Sequence, residues 1–315
     1  MERLYFLAKF ISYFRNKRNH FVVYGLPAIA SALDSSTTAE VKVIEGSGCT
    51  VDDQRLATPG YKKKKLIEAK QSIKNVIEYL KVDTENQKLE ITFAGDLIAA
   101  SGVGASAAQC TSLSRALNDT FNLNLTEKEI NAAAYEGEKA YHGTPSGIDN
   151  TASTYGGLIW FVKNLRGGEN TMELLQSPKK IPLLIINSGI TASTTEVVAD
   201  VRRLKEESPN QFEKIFSKYE NLAAAAKKAL LEGNIDTVGN LMNQNHKLLQ
   251  EITVSGEIND KLVEISLQNG AIGAKMTGTG RGGLVIALIE NKETQDKIAK
   301  AIEKEGYDAW KTMIG

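Results

Sequence analysis

The stretch Glu138-Lys-Ala-Tyr-His142-Gly-Thr-Pro-Ser146-Gly-Ile-Asp149-Asn150 decides how the rest of this chain is read. It sets two carboxylates, Glu138 and Asp149, 11 positions apart, the first late in an apolar-periodic helix and the second just past a Pro/Gly turn. Magnesium takes oxygen ligands, commonly one or two carboxylates plus phosphate oxygens, and a second carboxylate can orient or deprotonate an attacking hydroxyl. The pair therefore suits phosphoryl transfer. Taken singly, Glu138 also reads as a solvated helix residue and Asp149 as a turn former.

Two glycine loops flank this stretch. Upstream, Ala99-Ala-Ser-Gly102-Val-Gly104-Ala-Ser106-Ala-Ala108 joins a strand to a well-patterned helix. Two glycines permit a left-handed backbone and close approach, and the helix N-terminus adds partial positive charge, so a phosphate fits, with the Ser106 hydroxyl facing the anion or its metal. The loop matches neither a Walker A sequence nor a dinucleotide fingerprint, and a plain tight turn with a helix cap remains the alternative. Downstream, Lys275-Met-Thr-Gly278-Thr-Gly280-Arg281-Gly282-Gly283 lies between two strands. A hairpin is one account; four glycines in six residues favour close approach to a ligand, with Arg281 available to neutralise phosphate charge.

Outward from these motifs the chain alternates helices and strands. Leu66, Ile67, Ala69, Ile73, Val76, Ile77 and Leu80 recur at helical spacing over 66–81, and 88–93 alternates as a strand. Cys110, Leu113, Leu117 and Phe121 form the stripe of the next helix, and Thr126 with Glu129 is a capping-box pattern opening another that runs to about Tyr141. Strands are expected at 21–24, 158–162, 182–187, 274–277, 284–289 and 308–314. Gly233 and Gly270 are the expected ends of two long helices. Residues 164–180 read as a polar crossing between lobes, with one domain over 1–181 and a second over 182–315. Mixed elements in both halves indicate two α+β lobes.

The 315 residues balance 38 Lys and Arg against 38 Asp and Glu, so no global basic field exists to hold nucleic acid or an anionic membrane. The balance is uneven at one place: residues 1–20 carry Arg3, Lys9, Arg15, Lys17 and Arg18 against Glu2 alone. That basic, aromatic start has the composition of a transit peptide, but it continues into Phe21-Val-Val-Tyr24 without a small-residue cleavage site. No apolar run approaches the length of a membrane span, and Cys49 and Cys110 lack metal or disulfide spacing. A reducing, cytoplasmic setting is expected.

The three motifs, in this order and spacing, together with Ser153-Thr-Tyr-Gly156-Gly157, resemble the GHMP kinase superfamily, and within it the mevalonate kinases. The forms at 102 and 278, with Val51-Asp-Asp-Gln-Arg55 and Pro59-Gly-Tyr61, are similar to the trypanosomatid branch. The resemblance implies a two-lobed GHMP kinase fold, with a ribosomal-S5-like N-terminal lobe, a ferredoxin-like C-terminal lobe and the active site in the cleft between them. It implies ATP at a phosphate loop of Ala100, Ser101, Gly102, Val103, Gly104, Ala105, Ser106 and Ala107. Magnesium would be held by Ser106 and Glu138, Asp149 would be the base toward the mevalonate 5-hydroxyl, and His20, Ser146 and Thr194 would line the substrate pocket. A homodimer is a further expectation of the family.

One motif departs from the family. Just before the histidine, members carry a Lys, a short apolar strand and Gly-Glu; here Arg18 and Asn19 precede His20. Lys9, followed by Phe10-Ile11, is the candidate catalytic lysine but stands 11 residues before His20, about four too many. The altered motif leaves open a catalytically impaired ATP-binding protein, or a kinase for another small alcohol.

Overall fold

The computed structural model describes residues 6–11, 21–99, 102–190, 194–278 and 280–315. In chain order, β1 (Phe6–Ile11), a 3-10 turn at Phe21–Tyr24, β2 (Ala28–Leu33), β3 (Thr38–Ile44) and β4 (Gly48–Asp53) lead into a one-turn helix α1 (Tyr61–Lys64). Next come α2 (Leu66–Tyr79), β5 (Lys88–Ala94), α3 (Ala105–Phe121), α4 (Glu127–His142) and α5 (Ile148–Tyr155). β6 (Leu158–Val162), β7 (Thr171–Leu175) and β8 (Ile181–Asn187) precede helices α6 (Thr194–Glu207), α7 (Pro209–Leu231), α8 (Ile235–Glu251) and α9 (Glu257–Gln268). Last are β9 (Gly273–Thr277), β10 (Leu284–Leu288), α10 (Lys292–Lys304) and β11 (Asp308–Ile314). The chain divides into two compact units, the first built on Ala32–Gly156 and the second on Gly157–Gly315 together with Ala8–Ser31.

In the first unit a three-stranded sheet runs β3-β5-β4, with β3 antiparallel and β4 parallel to β5. Alternation along β5 turns Leu89, Ile91 and Phe93 inward, where they meet Ile73, Val76 and Ile77 of α2, Cys110, Leu113 and Leu117 of α3, and Ala134 of α4. Each of these large side chains contributes roughly 1.5–3 kcal/mol on burial, so the stripe read from the sequence is the core that seats α3 and α4. The start of α4 is fixed locally. Thr126 Oγ1 accepts from the Glu129 amide and the Glu129 carboxylate accepts from the Thr126 amide, closing the expected capping box.

The second unit carries two four-stranded sheets, ordered β1-β2-β6-β7 and β11-β8-β10-β9. In the latter β8, β10 and β9 pair antiparallel and every residue of β9 and β10 is buried, with α8 and α9 packed on β9 and α10 on β8. Gly233 and Gly270 each lie one residue beyond a helix C-cap, with φ of 69° and 106°, where glycine relieves the left-handed strain. Among the described residues no helix is long and apolar enough to cross a membrane.

Two expectations are corrected. Phe21–Tyr24 is a 3-10 turn instead of a strand: Gly25 at φ 77° closes it through Gly25 N to Val22 O and Leu26 N to Phe21 O, and the Phe21 ring stacks on Tyr219 at 3.7 Å. Tertiary packing outweighs the strand propensity of this β-branched and aromatic run. The supposed crossing at 164–180 contains β7, which pairs antiparallel with β6. β7 is an edge strand exposed over most of its length, so it lacks the apolar alternation that marks a half-buried strand.

Candidate active site

The upstream glycine loop opens α3 as expected. Gly102 and Gly104 have φ of 92° and 75°, and Gly104 is the N-cap residue, with no side-chain cap and no acid in the first helical turn. The first-turn N–H groups therefore keep their capacity for an anion, aided by the helix dipole. Val103, Ala105, Ser106 and Ala107 are all buried, and small side chains at 105–108 let a ligand approach the backbone closely. Ala100 and Ser101 lie outside the described residues.

Glu138 is only 1% exposed, late in α4, with His142 Nε2 3.4 Å from its Oε2 one turn on. Burial first, and then the Glu138 charge, push the Cys110 thiol well above its ordinary value. Cys110 therefore stays a neutral thiol, sharing a hydrogen bond of 3.2 Å with Ser72. Because Ser106 and Cys110 sit four residues apart on α3, the same face of the helix carries Ser106 and meets Glu138. Gly137 makes this approach possible: a Cβ there would lie 2.6 Å from Cys110 Sγ and 2.7 Å from Val76 Cγ2. Gly137 lies outside the motifs legible in the sequence, although a glycine inside a strong helical pattern is itself a sign of close packing.

Asp149 sits in the first turn of α5, 3% exposed, after Gly147 at φ 90°. It is a helical residue and not the turn former of the alternative reading. Asn131 ties α5 to α4, its main-chain and side-chain oxygens both accepting from Asn150 Nδ2 at 3.2 and 2.6 Å. Thr151 Oγ1 donates to Gly147 O at 2.6 Å, and the half-buried Ser146 Oγ accepts from the Ile148 amide at 3.4 Å. The first unit thus brings together the loop at 102, Glu138, Ser146 and Asp149 on α3, α4 and α5, which pack against one another.

The remaining site residues belong to the second unit or lie outside the described residues. His20 is outside them. The turn that follows it is anchored by Tyr219, whose hydroxyl donates to Pro27 O at 2.8 Å, and by Lys205 Nζ 4.0 Å from the Tyr24 ring centroid. Lys9 lies in β1, at the edge of the sheet beside β2, and Thr194 is the first residue of α6; the placement of their side chains is outside what is described.

Arg281 departs from its expected role. Its NH1 donates to Asp200 Oδ2 at 2.6 Å, its Nε to Thr253 O at 3.0 Å and its NH2 to Thr253 Oγ1 at 3.2 Å, so protein groups occupy the guanidinium. The loop itself joins two hairpin strands, and Gly282 is required by protein: a Cβ there would meet Ile190 O at 2.7 Å, while Asn259 bonds both its N–H and its carbonyl.

Known proteins match this arrangement along the whole chain. The model of the GHMP kinases N terminal domain matches residues 69–157, and that of the GHMP kinases C terminal matches residues 226–308. The mevalonate kinase of Thermococcus sibiricus is 30% identical over 91% of this chain and 89% of its own length. That of Thermococcus onnurineus is 33% identical over 94% and 92%. The crystal structure of L. major mevalonate kinase in complex with R-mevalonate superposes with a TM-score of 0.92 at 36% identity, covering 100% of this chain and 96% of that one.

Proposed function

We propose that this chain, which belongs to the GHMP kinase family and within it to the mevalonate kinases, uses ATP to phosphorylate the 5-hydroxyl of (R)-mevalonate, giving 5-phosphomevalonate for isoprenoid biosynthesis. The observation that carries this is the end-to-end similarity to a structure with R-mevalonate bound. An impaired ATP-binding protein and a kinase for a different alcohol are not favoured by these relatives. The family matches at 69–157 and 226–308 fall on either side of the proposed boundary between an N-terminal domain over 1–181 and a C-terminal one over 182–315, whereas the compact units of the fold part at Gly156.

In this mechanism the backbone of Ala100–Ala107 cradles the triphosphate, with the open N-terminus of α3 directed at it. Asp149 receives the proton of the 5-hydroxyl as its oxygen bonds to the γ-phosphorus, and the bond from that phosphorus to the β-γ bridging oxygen breaks to release ADP. Lys9 is proposed to hold charge beside Asp149, and His20, Ser146 and Thr194 to orient mevalonate. A neighbouring Lys⁺ lowers a carboxyl pKa by about 1–3 units, which a loose transition state tolerates because positioning matters more than base strength.

The donor set fits magnesium: the Glu138 carboxylate and Ser106 hydroxyl are hard oxygen ligands on facing helices, with phosphate oxygens and water left to complete the shell. When bound, the ion supplies charge neutralisation of the phosphates. Buried as it is, Glu138 gains little from solvent and has reason to remain beside a cation. A cytoplasmic location and a homodimer belong to the same proposal.

The test is mevalonate-dependent ADP release from folded protein in Mg-ATP, run beside homoserine, galactose and phosphomevalonate. Release with (R)-mevalonate alone is expected. Its absence from protein with an intact thermal transition refutes the assignment.

A further inference from the structure

The segment between β4 and α1 grips the phosphate loop from both sides. On the upstream side its backbone pairs with Ala99, the last described residue before the loop: Ala99 N donates to Leu56 O at 2.7 Å and Thr58 N to Ala99 O at 3.2 Å. On the downstream side Arg55, 4% exposed, sends its guanidinium into the first turn of α3. NH1 donates to Ala105 O at 3.3 Å and NH2 to Gln109 Oε1 at 2.7 Å, so one fork holds two residues a turn apart. The rest of the fork is fixed from behind. Nε and NH2 donate to Asp53 Oδ1 and Oδ2 at 2.9 and 2.8 Å, and the guanidinium carbon lies 5.4 Å from the Phe93 ring centroid. Burial alone would raise the Asp53 carboxyl; the hydrogen bonds and charge of Arg55, with Lys62, outweigh it and hold the group below its ordinary value, charged against Arg55.

We propose that Arg55 is a positioning residue for nucleotide: its fork locks the first turn of α3 against β4, so that the loop presents its N–H groups and Ser106 in a preset geometry. This rests on the kinase assignment above. The carbonyl of Ala105 and the amide of Gln109 leave no room for a phosphate at the guanidinium, so Arg55 acts through the loop and not by touching the ligand. Lysine cannot replace it, because a single ammonium lacks the planar fork that spans Asp53, Ala105 and Gln109 at once.

Three variants test this: Arg55→Lys, Gln109→Met and Lys62→Ala. Lys62 donates to Asp53 O and lies 3.5 Å from Asp53 Oδ1 but does not reach α3, so Lys62→Ala loosens only the support behind the fork and is expected to leave the nucleotide constants within about threefold. Arg55→Lys is expected to raise KM for Mg-ATP and the Kd of Mg-ADP on the order of 10- to 100-fold, while KM for mevalonate stays within about twofold. Gln109→Met, losing one of the two grips, is expected to show the same split at about 3- to 10-fold, and it carries the test if Arg55→Lys fails to fold. A lowered melting temperature with unchanged nucleotide constants, or an equal rise in both KM values, overturns the proposal. Mg-ADP titration needs no turnover, so it judges Arg55 even if the wild-type protein ignores mevalonate and the substrate assignment falls.

Discussion

Replacing Gly137 with alanine isolates the helix contact that sets Glu138. The new Cβ would sit 2.6 Å from Cys110 Sγ, 2.7 Å from Val76 Cγ2 and 3.1 Å from Cys110 Cβ. The first two separations are about 1 Å short of ordinary carbon contact, and both neighbours are buried between α2 and α3, so α4 must shift. Overpacking of this size costs about 1–3 kcal/mol, against about 1 kcal/mol gained from removing a helical glycine. The net loss is therefore small, about 0–2 kcal/mol, and the protein stays folded. Function is the more sensitive readout. Glu138 is the next residue on α4, and a displacement of about 1 Å in an active site costs on the order of 100-fold in kcat/KM. Urea unfolding and steady-state kinetics over a magnesium series measure both terms. Adding Cys110→Ala removes the 2.6 Å contact but leaves those at 2.7 and 3.1 Å, so it should restore part of the rate and show a favourable coupling of about 1 kcal/mol in a double-mutant cycle. A Gly137→Ala protein with wild-type kcat/KM at every magnesium concentration would refute the claim that this close approach places Glu138.

Asp149→Asn should reduce turnover at least 100-fold with Mg-ADP affinity nearly unchanged, read by coupled ADP release and calorimetry; retained rate would remove Asp149 as the base. Thr126→Ala opens the capping box at the start of α4 and should cost about 1 kcal/mol in urea unfolding, with Glu129→Ala on top of it adding less than it does alone. His246 is held neutral: burial, opposed by Asp260 and aided by Lys275, pushes it down to about 4. Between that value and the ordinary one near 6.5 the unfolded chain binds a proton that the native one does not, so stability should fall as pH drops through this window, by up to about 3 kcal/mol. His246→Gln should flatten that part of the stability profile, and an unchanged slope would contradict it.

Most of the fold was legible because its helices and strands carry strong periodicity over long spans. The stripe Cys110, Leu113, Leu117 and the alternation of Leu89, Ile91, Phe93 each report a buried face directly, and the capping box at Thr126 is a local chemical signal independent of context. What was not legible depended on partners distant in sequence. Phe21–Tyr24 has strand composition, yet its conformation is set by Tyr219, about 200 residues on, and by the turn that Gly25 closes. β7 exists because β6 offers it an edge, and its exposed residues need no pattern. The same limit applies to the site. Glu138 and Asp149 stand out because their own stretch is distinctive, whereas Gly137 and Arg55 matter only through Cys110, Val76, Ala105 and Gln109, which nothing in their local sequence announces.

The two arginines next to the glycine loops show what decides between binding a ligand and holding a loop. Sequence alone suggested phosphate for Arg281, and both it and Arg55 are cations beside backbone that can approach closely. In each unit an aspartate reaches the guanidinium first, Asp200 for Arg281 and Asp53 for Arg55, and carbonyl or side-chain oxygens of the chain take up further N–H groups. Each guanidinium is thereby tied to its own unit. The open N-terminus of α3 supplies only about 0.3–1 kcal/mol of attraction for a neighbouring anion, up to about 2 kcal/mol when partly buried. That is small against the several charges of a nucleotide drawn out of water onto a loop whose first helical turn carries no cation of its own. Charge therefore has to arrive with the nucleotide or from outside the loop, which is what magnesium at the proposed ligands Ser106 and Glu138 would provide. Under the proposed mechanism the buried carboxylate of Glu138 has its physical justification in the same shortage: it would draw a divalent cation to a loop whose nearby arginine is engaged in holding it in place.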